Sequence, residues 1–170
     1  MRYLPGRAFP PYSFLPGRDP HPTRDPQGHS FGAAGERPPF LPARRWREST
    51  PYLWGADLYN HGFLWEAHEA WEDLWHVSKP ERVLALYLQG LIQCAAAWLK
   101  IAMEQPRGLE RLSALALEKL DEVARASGGR YMGLDLDAFR PAVRAFAESQ
   151  PRAPLGYPLL VLADADGDEG

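Results

Sequence analysis

The chain has 170 residues, a net charge of −3 and one cysteine. That balance leaves no electrostatic footprint for nucleic acid or for an anionic membrane surface, and a lone cysteine excludes an intrachain disulfide. A composition of 45% hydrophobic and 24% charged residues is that of a globular domain long enough to bury a core.

Residues 1–50 hold ten of the 17 prolines, with eight arginines against four acids. Repeated PGR and DP steps forbid long helices there. The same stretch carries Tyr3, Phe9, Tyr12, Phe14, Phe31, Phe40 and Trp46, rings that disordered sequence usually lacks. It reads as an extended arm held on the domain by those aromatics. The N-terminus lacks the continuous apolar run of a signal peptide, and the expected location is the cytoplasm.

Residues 51–150 read as helical. A short helix over 51–60 ends at Asn60-His61-Gly62, with Gly62 suited to a left-handed cap. A second runs over 63–77. Ser78-Lys79-Pro80-Glu81 has the pattern of a capping box and opens a third over 80–104. This most apolar run contains Gln89, Gln93 and Lys100, so it reads as a central buried helix and not a membrane span. Cys94 sits among Ile92, Ala95 and Ala96 and reads as a small buried side chain. Pro106 and Gly108 precede a fourth helix over 108–126, which Gly128-Gly129 stops. A last helix, capped by Asp137, runs to Ser149, with Pro141 placed in its first turn. No β pattern is evident. Residues 151–170 are a Pro-rich strap ending in the acidic ADADGDEG. The fold class is all-α: a compact bundle of about five helices with the arm packed on it.

The second helix holds the stretch EAHEAWEDLW, with four acids, one histidine and two tryptophans in ten positions. At about 100° per residue, Phe63, Ala67, Ala70, Trp71 and Leu74 form the core face. Glu66, Glu69 and Asp73 fall on a second face, expected to be solvated. His68, Glu72 and Trp75 form a third stripe at i, i+4 and i+7, on the border between the two. The i, i+4 spacing brings an imidazole and a carboxylate to one point, as two metal ligands or as a carboxylate orienting a histidine. Two ligands do not make a site, and His21 and His29 of the arm are candidates to complete it. Gln89 and Gln93, one turn apart in the third helix, need partners for their amides; His68 and Glu72 are candidates. Gly90 between them admits a close neighbouring helix.

At these residues the segment YNHGFLWEAHEAWEDLWH, followed by LQGLIQCAAAWLK, resembles the bacterial and archaeal family called domain of unknown function 309. The signature of that family, a histidine, three residues, a glutamate, two residues and an aromatic, corresponds to His68, Glu72 and Trp75. Its Asn-x-Gly turn corresponds to Asn60 and Gly62, and its Leu-Gln-Gly-Leu-Ile-Gln segment to residues 88–93. The arm resembles an extension of longer members. The resemblance implies an all-helical bundle and a metal-binding role for the signature, and it carries no reaction, substrate or partner.

Two readings follow. In the first, His68 and Glu72, with His21 or His29, hold a divalent metal such as zinc for a hydrolase; Glu72 binds it or acts as general base, and Trp75, Gln89 and Gln93 wall the pocket. In the second, the protein is a non-catalytic helical module in which the signature is a buried hydrogen-bond network fixing helix register. Its partner is a small molecule or another protein, with Arg44, Arg45 and Arg47 available to an anion. An extended arm also favours exchange between protomers, so self-association is a further expectation.

Overall fold

The computed structural model describes residues 1–33 and 35–163; the acidic run from residue 164 onward lies outside the described residues. Five α-helices carry the fold: α1 (Thr50–Asn60), α2 (Leu64–Ser78), α3 (Arg82–Ala102), α4 (Pro106–Ser127) and α5 (Leu136–Glu148). Successive helices pack on one another, and α3 lies between α2 and α4. This is the all-α bundle read from the sequence. Although α3 is long and apolar enough to cross a membrane, ten of its residues are buried within the domain.

Tyr52, Tyr59, Trp71, Tyr87 and Trp98 are fully buried at the centre of the core. Their polar atoms are satisfied: Tyr52 and Tyr87 join hydroxyls at 2.7 Å, Trp71 Nε1 donates to the Tyr52 carbonyl, and Trp98 Nε1 donates to Tyr59 Oη. Buried Tyr and Trp stabilise a core only when so partnered. Close packing fixes two glycines. A Cβ on Gly90 would sit 2.8 Å from Leu120 Cδ2 of α4, which bears out the expected close approach. A Cβ on Gly55 would sit 2.1 Å from Trp71 Nε1. Cys94 is buried as expected, and desolvation pushes its thiol up to about 12.

Several details depart from the sequence reading. Arg130–Tyr131 (β1) and Leu134–Asp135 (β2) form a two-residue antiparallel hairpin, turned by Met132 and Gly133, both with positive φ. Leu162 adds a single bridge to Leu134. So short a ladder has no periodicity to read. The capping box does not form: Ser78 Oγ donates back to the Leu74 carbonyl, and Glu81 precedes α3 without a side-chain cap. The cap of α5 is Asp135, accepting from Ala138 N at 3.0 Å, and not Asp137, which pairs with Arg140. Because α5 begins at Leu136, Pro141 falls in its second turn and removes one helix hydrogen bond.

The arm lies on α1 and α2, and two buried carboxylates clasp it. Asp57, fully buried, accepts from Tyr3 N at 2.7 Å and Leu4 N at 2.8 Å. Glu66 accepts from Phe14 N at 2.8 Å. Phe9 stacks on Trp54 and Phe63, while Phe14 meets Trp65 edge to face. Trp46 is buried in a 3-10 helix (Ala43–Glu48) that leads into α1. Phe31 and Phe40 are exposed, unlike the other rings of the arm. The C-terminal strap is fixed by Asn60, whose side chain exchanges two hydrogen bonds with the Leu160 backbone, and by Tyr3 Oη, which donates to the Leu160 carbonyl.

Candidate functional site

The arm, α1 and α2 position the polar residues of the site. On α2, His68 stands between two carboxylates: Nδ1 is 3.4 Å from Glu69 Oε1, and Nε2 is 3.3 Å from Glu72 Oε2. The His68–Glu72 approach is the one that the i, i+4 spacing predicts. Glu69 is the addition. A neighbour at i+1 lies about 100° around a helix, so spacing alone did not select it. One donor atom from each of the three residues lies within 4.8 Å of the others, close enough to share one cation.

Neither ring nitrogen of His68 makes a hydrogen bond among the described residues, and Nδ1 is buried without a hydrogen-bond partner. A satisfied core histidine does not look like this. Burial pushes the Glu69 carboxyl above the usual carboxylate range; His68 pulls against that, while Glu72 and Asp73 push the same way. The side chains of His68, Glu69 and Glu72 are 27%, 46% and 42% exposed, so the cluster is open to solvent.

The arm histidines lie elsewhere. His29 Nε2 bonds Glu66 Oε1 at 3.0 Å and its Nδ1 bonds Ser30 Oγ at 2.8 Å, so both nitrogens are engaged away from His68. His21 packs its ring against Phe14 and Trp65, and its Nδ1 accepts from Thr23 N and Arg24 N. Glu66, expected on the solvated face, is buried between Phe14 and His29 and is the largest correction on this helix. The local pattern of α2 could not reveal it, because its partners lie 52 and 37 residues away in the arm.

Gln89 and Gln93 make no hydrogen bond to His68 or Glu72 among the described residues; Gln93 Oε1 is buried and unpartnered. Trp75 is half-buried at the edge of the core, with Lys79 Nζ 4.4 Å from its ring centroid. The basic run is partly committed: Arg45 pairs with Glu48, and Arg47 lies over Trp46. Beside the cluster, a cavity of about 410 Å³ opens between the arm, α1 and α2, with Glu69 on its wall.

Residues 52–112, from α1 into α4, match the family model described as a domain of unknown function, DUF309. The similarity to that family covers these residues, less than half of the chain. The matched segment contains His68, Glu69, Glu72 and Trp75 and leaves out the arm and the strap. The polar cluster therefore belongs to the matched helices, whereas the clasp at Glu66 joins a matched helix to an unmatched arm. No curated protein and no solved structure matches the chain.

Proposed function

We propose that the protein binds a divalent metal at His68, Glu69 and Glu72 and uses it for hydrolysis. The observation that carries this reading is the imidazole of His68, flanked by two carboxylates at 3.3 and 3.4 Å and hydrogen-bonded to neither. The donor set fits: one imidazole with carboxylates suits zinc and related ions. Glu72 and one nitrogen of His68 act as ligands. Glu69 either adds a third oxygen or orients the imidazole through its other nitrogen, the usual outer partner of a metal-bound histidine. A bound ion of this kind would supply an activated water. The carboxylate left uncoordinated is placed to take a proton, and the solvent-open face leaves room for substrate.

The alternative, a buried hydrogen-bond network at the signature, has less support. The side chains of His68 and Glu72 are partly open to solvent, and the buried carboxylate of α2 is Glu66, outside the signature. Metal analysis of protein purified without a histidine tag tests the proposal. About one ion per chain, lost in His68→Ala, is expected. A content below about 0.1 per chain in both proteins, with no ion taken up on titration, would overturn it.

A further inference from the structure

The cavity between the arm and α2 has a chemistry of its own. Glu66, Glu69 and Asp73 line it from α2 at i, i+3 and i+7, and Phe9, Trp54 and Trp65 supply aromatic walls. Its volume of about 410 Å³ is in the range of small-molecule sites. No Lys or Arg pairs with any of these three acids within 4.0 Å among the described residues. The Glu66 side chain is only 6% exposed, and its Oε2 has no hydrogen-bond partner. A buried carboxylate oxygen left in that state favours a donor brought by a ligand. The three acids do not come close enough to share one metal ion; among the described residues only His68, Glu69 and Glu72 do. A longer cation, carrying its charge on separated groups, meets their spacing. The aromatic wall already accepts such a group: the Arg7 guanidinium, without a carboxylate partner of its own, lies 4.3 Å from the Trp54 centroid.

We infer that this cavity is a binding site for a small organic polyamine, held by the carboxylates of Glu66, Glu69 and Asp73 and the rings around them. The site shares Glu69 with the proposed metal cluster and otherwise stands apart from it. The ammonium groups donate to the carboxylates, and the alkyl chain lies against the rings.

Titration calorimetry on the full chain, freed of metal by chelator, tests the inference with 1,4-diaminobutane as probe and 1,4-butanediol as its neutral isostere. Saturable binding of the diamine at one site, with no heat from the diol, is expected. Asp73→Asn, an exposed position outside the metal cluster, should weaken the diamine by about tenfold, leave metal content unchanged, and retain the wild-type fold by circular dichroism. His68→Ala should abolish metal uptake while the diamine still binds. Equal response to diamine and diol, or diamine binding unaffected by Asp73→Asn, would overturn the inference whatever the metal content.

Discussion

His29 of the arm and Glu66 of α2 meet at 3.0 Å with side chains only 4% and 6% exposed. The contact joins a proline-rich segment to a helix through a carboxylate that also accepts the Phe14 amide. Glu66→Ala strips a partner from both donors. Each buried group left unsatisfied costs about 1–3 kcal/mol. The expected result is a lower urea midpoint and early proteolytic cleavage within residues 1–33, with the helical core cut later. Cleavage in the arm at the wild-type rate would show that Glu66 does not hold it.

Glu69 gives a pH dependence with a defined sign. Its folded-state carboxyl is raised above the ordinary 4.5, so the fold disfavours the ionised form. Below the ordinary value both states are protonated and Glu69 contributes nothing. As pH rises through the raised value, the native state loses stability relative to the unfolded chain. Without metal, Glu69→Gln should therefore gain about 1–2 °C in Tm at neutral pH, a gain that disappears in acid. Thermal melts across pH check this, and a constant difference at every pH would contradict it.

Metal should reverse that order. An ion bound only by the native state raises stability by about 2.7 kcal/mol at a hundredfold excess over Kd. Zinc should raise the Tm of the wild type and leave His68→Ala unmoved. Glu69→Gln should respond at concentrations about 10- to 100-fold higher, as expected when a ligand or its orienting partner is lost. A shift of equal size in wild type and His68→Ala would place the ion elsewhere.

Gly55 and Trp71 lie too close for any side chain between them. A Cβ at Gly55 meets Nε1 of a fully buried indole at 2.1 Å, and that nitrogen donates to the Tyr52 carbonyl. Overpacking of this kind costs about 1–3 kcal/mol. Gly55→Ala should lower the urea midpoint, while Gly62→Ala, where open space surrounds a φ of +84°, loses stability only through backbone strain. Equal stability of Gly55→Ala and wild type would exclude the close approach.

The sequence carried the helices and one face of the site because both rest on local spacing. His68 and Glu72 meet through i, i+4 geometry, and Gly62, Gly90 and Gly128 mark their turn, close approach and helix stop. What escaped was long-range. Glu66 stands beside Glu69 and Asp73 on the wheel, and nothing local separates an acid that meets water from one that meets Phe14 and His29. The hairpin over 130–135 and the cap at Asp135 escaped for the opposite reason, being too short to show a period. Spacing does not single out Glu69, because adjacency along a helix usually points side chains apart; here the His68 ring bridges the gap.

Tyr3 accepts a hydrogen bond from the amide of Leu162, 159 residues along the chain. A ribosome extrudes the arm first and the strap long afterwards. The contacts of Tyr3 with Leu160 and Leu162 can close only once those residues have emerged, whereas Asp57, Glu66 and the rings of Trp54, Phe63 and Trp65 are available to the arm as soon as α1 and α2 are made. The arm therefore meets its helices early in synthesis, and the strap closes over an arm whose other contacts already have their partners.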